Sequence, residues 1–408
     1  MKQGWELKKL SDLFDVKSSR RVHQADWKSS GIPFYRAREV VKLAKEGKVE
    51  NELFISQELY DELTTDKGAP KTGDIIISAV GTLGQCYLVK DSDKFYFKDA
   101  SVLWFENLGK VDARFIEYAF KADLILAQVM DGSMGATVGT LTINRAKDIE
   151  IPIPPIPEQQ RIVSILDECF AAIEKAKANA EQNLKNAKQL FESYLQGVFE
   201  KKGDGWEEKT LKDVCAKITD GTHQTPKYFD DGYIFLSSKN VTSGKIDWDN
   251  IKYIDKKQHL EMHKRVAPKI GDILLAKNGT TGVAAMVDRD VVFDIYVSLA
   301  HIRVLDEVIP EFMLYFINSP IAKKQFNKRL KGSGVPNLHL EEIREVKISF
   351  PKSKKEQATI VRKLNTLRTE TQKLETVFQK KLADLEELKK SILEKAFKGE
   401  SKNTKITA

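Results

Sequence analysis

The chain repeats itself, and this constrains its fold more than any other feature. KTGDIIISAVGTLG begins at Lys71 and KIGDILLAKNGTTG at Lys269, an offset of 198 residues. The same offset carries Glu158-Gln159 to Glu356-Gln357, and Ser193, Leu195 and Phe199 to Ser391, Leu393 and Phe397. Gly4-Trp5-Glu6 returns as Gly205-Trp206-Glu207. Solenoid repeats run roughly 20–50 residues, so a period this long means a duplicated domain pair instead. Each copy opens with short β-rich runs broken by Gly, Pro and Asp, such as DIIISAV (74–80) and DILLAK (272–277). Helical patterns lie among them at 112–130 and 310–330, which predicts a mixed α/β or α+β globule and not a regular βαβ fold.

Each copy closes with a long helix. IPIPPIP (151–157) fixes an extended lead-in, and Pro157 suits the first helical turn. From Glu158 to about Phe199 no further Pro interrupts the chain. The apolar positions Ile162, Leu166, Cys169, Ile173, Ala176, Ala180, Leu184 and Ala187 step by 4, 3, 4, 3, 4, 4, 3, a heptad seam with one stutter. Ile360, Leu364, Leu367, Thr371, Leu374, Phe378, Leu382 and Leu385 repeat those steps. The packing residues expected are Ile162, Leu166, Ile173, Ala180 and Leu184 against Ile360, Leu364, Leu374, Phe378 and Leu382. A pseudo-twofold repeat predicts an antiparallel pair, and a helix of about 42 residues rises roughly 63 Å. Such a rod would hold two related globules at a set spacing, which suits a bipartite site on duplex DNA. The plainer reading is a helical hairpin that only dimerises.

Composition narrows the class. With 66 Lys+Arg against 59 Asp+Glu the net charge is +7, and 41% of residues are hydrophobic and 31% charged. That excludes a disordered chain, and no stretch reaches the roughly 20 apolar residues that span a bilayer. The start, MKQGWELKKLSDLFDV, has no signal-peptide core. Three separated cysteines offer neither a disulfide framework nor zinc spacing, so a cytoplasmic setting is expected. The basic excess permits a nucleic-acid partner without establishing one.

The motifs together resemble the specificity (S) subunits of type I restriction–modification systems, over nearly the whole length. ITDGTHQTPKYFDDGYIFLSSKNVTSGKID (218–247) is similar to the opening of a target recognition domain, and GIPFYRAREV (31–40) to its counterpart in a second type. The two GD-hydrophobic-GTxG segments, IPIPPIPEQQRIVSIL and the terminal LKKSILEKAFKGE are similar to further family segments. The resemblance implies an α+β chain: recognition domains at 1–155 and 202–353, conserved helices at 156–201 and 354–400, and a flexible tail at 401–408. Each domain would read half of a split DNA sequence. The helices would set the unread spacer and dock two methyltransferase (M) subunits, and restriction (R) subunits would join for cleavage. S-adenosylmethionine, ATP and Mg would belong to those partners, with no cofactor on this chain. The first copy lacks DGTHQTP, so the roles of Asp220, Gly221 and His223 do not carry over to it. This difference suggests an asymmetric target.

No enzyme signature competes. There is no GxxxxGK[ST] phosphate cradle, and GSMGATVG (132–139) lacks the dinucleotide spacing. QHLEMH (258–263) sets His259 and His263 one helical turn apart, but Leu260 stands where a zinc hydrolase needs Glu. Two solvated helix histidines and no metal site are expected. No Asn/Asp-Pro-Pro-aromatic segment and no nuclease carboxylate cluster emerges. The alternatives are the recognition subunit of a related system cutting both sides of its site, a fused nuclease or methyltransferase, and a coiled-coil scaffold that binds no DNA.

Phosphate contacts call for Lys and Arg, and base edges for Arg, Lys, Asn, Gln, Ser or Thr. In the first globule Lys17, Ser18, Ser19, Arg20, Arg21, His23 and Gln24 form one basic, polar loop. Arg36 and Arg38 follow a β-like run and would share a face, unless they pair with Glu39. In the second, the candidates are Thr222, His223, Gln224, Thr225 and Lys227, then Ser237, Ser238, Lys239 and Asn240, and then Lys277 and Asn278. Lys323, Lys324, Lys328, Arg329 and Lys331 form a cationic run. Each set reads equally as solvated surface. Gly81, Gly84, Gly279 and Gly282 are expected to serve turns.

Overall fold

The computed structural model describes residues 3–131, 139–241, 244–330 and 337–399. The chain divides into two compact units, Met1–Ala180 with Lys380–Ala408, and Glu181–Gln379. Each joins one globule to part of both long helices, because the globules share their cores with the helices.

The first unit has a four-stranded antiparallel sheet in the order Phe14–Lys17, Val102–Asn107, Ile75–Ser78, Cys86–Leu88. A three-stranded sheet places Ile32–Tyr35 between antiparallel Phe54–Ile55 and parallel Tyr96–Phe97. A third ladder pairs Glu6–Lys9 with Glu150–Ile153, just ahead of the long helix. The second unit repeats all three. Its four strands run Cys215–Asp220, Leu299–Val304, Ile273–Ala276, Ala284–Met286. Its three run Lys252–Ile254, Tyr233–Leu236, Phe293–Ile295, and its pair is Trp206–Thr210 with Lys347–Pro351.

The apolar run in the duplicated GD motif follows from burial on both faces. Strand side chains alternate between faces. Ile75 and Ile77 enter a core with Phe105, Phe115 and Ile116, while Ile76 enters another with Val40, Leu43 and Trp104. Ile273 and Leu275 likewise separate from Leu274 and Ala276. A sheet covered on both sides reads as continuous hydrophobe, not as alternation. Asp74 turns into the fold, accepting from Trp104 Nε1 at 2.9 Å and from the Asn107 and Lys71 amides. Asp272 accepts instead from His301 Nε2 at 2.7 Å, from the Arg303 guanidinium and from the Lys269 amide. Burial would raise the Asp272 carboxyl's pKa, but Arg303 and His301 hold it well below the usual carboxylate range.

The long helices span Ile156–Glu200 and Lys354–Phe397. A buried glutamine ties the start of each to its own globule. Gln159 accepts from the Asp112 amide at 2.8 Å and donates to the Pro154 carbonyl at 2.7 Å. Gln357 accepts from the Ile309 amide at 2.8 Å and donates to the Glu307 and Pro351 carbonyls, both at 2.9 Å. A tyrosine hydroxyl adds a second tie in each copy, Tyr118 to Asp167 and Tyr315 to Asn365.

Within the first unit the two helices run antiparallel. Lys177 pairs with Glu386 at 2.6 Å and Glu174 with Lys389 at 2.8 Å, so one number rises as the other falls. Ile162, Leu166 and Ile173 share a core with Leu393, Ala396 and Phe397. In the second unit Leu195 and Phe199 share theirs with Val361 and Leu364, with Ile360 packed against it. Ala180 is buried, and Leu184, Phe378 and Leu382 are half-buried. Leu374 departs from expectation, standing 43% exposed. The covered stripe steps four residues from Thr371 to Glu375, then three to Phe378, and leaves Leu374 one position off it.

Candidate nucleic-acid interface

In the first unit, the loop after strand Phe14–Lys17 is stitched to the segment 96–100. Ser19 Oγ donates to the Phe97 carbonyl at 2.7 Å, Ser18 Oγ accepts from the Ala100 amide, and the Arg20 amide donates to the Tyr96 hydroxyl at 2.9 Å. Both serine hydroxyls therefore serve the loop's own shape. The Lys17 ammonium sits 4.1 Å from the Trp104 ring centre and pairs with Glu106 and Asp15. What faces outward is Arg21, His23 and Gln24, with half-buried Arg20 at their edge. Arg20 and Arg21 lean on Asp66 and Asp99. Surface pairs of this kind are worth little, and a phosphate can compete for the guanidinium.

Arg36 and Arg38 do not share a strand face. Arg36 caps the helix Ala37–Glu46 and Arg38 lies in its first turn. Both pair with buried Glu39, and Arg38 reaches Glu52 as well. Burial works against the Glu39 charge, but the two guanidiniums hold its pKa below the usual value.

In the second unit the DGTHQTPK segment leaves the sheet edge. Thr222 donates its amide to the Ile295 carbonyl at 3.0 Å and accepts from the Val297 amide at 2.9 Å. Gly221 makes this approach possible, because a Cβ there would lie 1.9 Å from the Ile295 oxygen. Asp220, buried at the strand end, gathers Arg265 at 2.6 Å, Lys277 at 3.1 Å and His223 at 3.3 Å. Burial opposes its charge, yet the Arg265 and Lys277 cations and the His223 hydrogen bond hold its carboxyl below the ordinary range. Beyond this anchor His223, Gln224, Thr225 and Lys227 are exposed, and Thr222 is half-buried. Gln258 clamps the Lys227 backbone at both amide and carbonyl.

Two residues move from the surface to the interior. Lys277 is only 6% exposed, and its ammonium is committed to Asp220, because the strand Ile273–Ala276 delivers it inward. Asn240 is buried and braces its own turn, donating to the Asp247 and Asn250 carbonyls. Ser237 and Ser238 are half-buried, with the Ser238 amide on Ser298 Oγ, while Lys239 is exposed. Asn278 bridges to Asn337, and neither side-chain oxygen has a hydrogen-bond partner among the described residues. Gly279 and Gly282 take φ of 75° and 83°, which assigns them to the turn.

The cationic run holds together as a surface. Lys323, Lys324 and Lys328 are exposed and line an open groove of about 560 Å³ with Pro320, Asn327 and Glu192. Arg329 is half-buried and donates to the Gln325 carbonyl at 3.1 Å. Lys331 and most of GSMGATVG lie outside the described residues.

Neither histidine of QHLEMH is fully solvated, and His263 is half-buried. His259 is buried and stacks on the Tyr233 ring at 3.8 Å. His259 and His263 both present Nδ1 to the buried Asp294 carboxylate, at 2.7 and 3.1 Å. The strand Phe293–Ile295 carries that carboxylate under the helix, a tertiary contact that helical spacing does not reveal. Sequence reasoning also passed over Tyr228 and Phe229, large aromatics exposed directly after Lys227. Tyr228 packs on the Phe235 ring with centroids 6.1 Å apart, and the Lys227 ammonium lies 5.6 Å from the Phe229 ring centre.

Two copies of one mixed α/β globule, each with exposed polar and cationic loops, define a tandem-repeat binding protein. The chain belongs to the family of type I restriction modification DNA specificity domains, whose family model matches residues 2–182 and again 203–386. It is 26% identical over 305 residues to the EcoKI specificity subunit of Escherichia coli K12, covering 70% of this chain. The match spans 65% of that relative's length, just under two thirds. Among solved structures, a chain from work on assembly and conformational transition of the type I R-M system superposes with a TM-score of 0.78. It is 20% identical, and the match covers 98% of this chain and 99% of that one. The HsdS subunit from Thermoanaerobacter tengcongensis gives a TM-score of 0.64 at 18% identity, covering 98% of both chains. These likenesses establish the shared fold.

Proposed function

We propose that this chain is the DNA-reading subunit of a type I restriction–modification complex, with each globule reading one half of a split target. The carrying observation is that the family match occurs twice, once on each copy of a duplicated fold. The two copies offer different polar loops, 20–24 in one and 222–227 in the other, which supports two unlike half-sites. Lys324 and Lys328 supply phosphate contact beside the second reader. Membership among specificity subunits implies a non-catalytic chain. In this reading methylation and cleavage, with S-adenosylmethionine, ATP and Mg, belong to M and R partners in the cytoplasm, and the paired helices set the unread spacer and dock two M subunits. No helix among the described residues is long and apolar enough to cross a membrane.

The test is methylation mapping in a host that expresses this chain with its neighbouring M subunit. A modified adenine in each half of a split motif is expected. Exchanging residues 202–353 for those of a relative should change one half and leave the other. If both halves change, or the purified chain alone methylates or cuts DNA, the assignment is wrong.

A further inference from the structure

We propose that His259, His263 and Asp294 form a binding site for a transition-metal dication of the zinc class. The three ligand atoms lie within 4.8 Å of one another, His259 and Asp294 are buried, and His263 is half-buried at the opening. Two imidazoles one helical turn apart and a carboxylate from a neighbouring strand make a three-ligand set, the number a zinc ion completes with a water as the fourth. Nitrogen donors at two of three positions favour Zn²⁺, Co²⁺ or Ni²⁺ over Mg²⁺ and Ca²⁺, which take oxygen ligands. The cation would replace the two Nδ1–H···O bridges to Asp294, each neutral imidazole keeping its one proton on Nε2, and the carboxylate would offset one of the two positive charges. Stacking on Tyr233 fixes the His259 ring plane in advance.

The internal repeat supplies a control. Phe34 pairs with Tyr96 in the first unit as Phe235 pairs with Asp294 in the second, so Tyr96 holds the place of Asp294. The helices start at the equivalent caps Ser56 and Asp255, which sets Tyr60 opposite His259. Tyr60 and Tyr96 form an edge-on aromatic pair with centroids 6.4 Å apart. One copy therefore closes this spot with two rings, and the other places three ligating groups there. The metal would link the helix bearing Gln258 to the strand that receives Thr222, fastening the 222–227 segment from both sides.

The experiment uses the tag-free full chain, stripped with chelator and titrated with ZnCl₂, with CoCl₂ as the absorbing probe. One Zn²⁺ per chain is expected, with a melting temperature that rises with Zn²⁺ and not with Mg²⁺. His263→Ala, half-exposed and so mild for folding, should weaken binding at least about tenfold. Asp294→Asn, which keeps the side-chain shape, should do the same, and His339→Ala on the surface should not. The site is refuted if the wild-type chain binds no Zn²⁺, or if binding survives both His263→Ala and Asp294→Asn. Either result would leave a plain His–Asp–His hydrogen-bond network.

Discussion

Replacing Gln159 or Gln357 with Ala separates the two ties between globule and helix. Each side chain is nearly fully buried, so its partners are poorly placed to find water. Gln159→Ala leaves two partners, the Asp112 amide and the Pro154 carbonyl. Gln357→Ala leaves three, the Ile309 amide and the Glu307 and Pro351 carbonyls. At about 1 kcal/mol for each stranded group, the low end of the usual penalty, the costs are about 2 and about 3 kcal/mol. Equilibrium urea unfolding, followed peptide by peptide by hydrogen exchange, gives the loss for each unit. Gln159→Ala should weaken Met1–Ala180 with Lys380–Ala408, and Gln357→Ala should weaken Glu181–Gln379 by more. Costs below about 0.5 kcal/mol, or the reverse ranking, would show that the glutamines fill space and do not anchor the helices.

Asp272→Asn should lower stability at neutral pH, with the gap to wild type closing in acid. The native carboxyl's pKa is depressed, so its contribution is full above the unfolded value near 3.9 and drains away as pH falls toward the native one. Urea midpoints from pH 7 down to 2 measure this. Lys324→Ala with Lys328→Ala should weaken binding to all DNA sequences alike and flatten the slope of log K against log salt by about 0.9 per lost contact. Competition binding in the assembled complex across a salt series reads both. Thiol labelling should proceed slowly and first at half-buried Cys169. Burial raises all three thiols and pushes Cys215 up to about 12, so Cys86 and Cys215 should label only on unfolding.

Much of the fold was legible because it rests on short-range pattern and on repetition. The offset of KTGDIIIS and KIGDILLA exposed the duplication, and the seam steps gave both helices within a few residues. What sequence hid was the interior fate of polar groups. Lys277 reads as a surface cation until the strand before it turns it onto Asp220. His259 and His263 read as solvated because Asp294, their partner, comes from a strand more than thirty residues on. Leu374 failed for the opposite reason: apolar spacing favoured it, but the stripe that packing covers passes through Glu375. Arg36 and Arg38 showed how local geometry overrides alternation, since a helix begins between them.

The first unit is assembled from both ends of the described chain, whereas the second is one uninterrupted stretch. Ile162, Leu166 and Ile173 share their core with Leu393, Ala396 and Phe397, which leave the ribosome more than two hundred residues later. At ribosomal speeds of about 5–20 residues per second, that is a wait of roughly ten to forty seconds. Throughout it the early globule keeps an uncovered greasy flank, and the later one acquires every part it needs first. The order of completion during synthesis therefore reverses the order of translation, and nascent-chain proteolysis should find the second unit protected before the first.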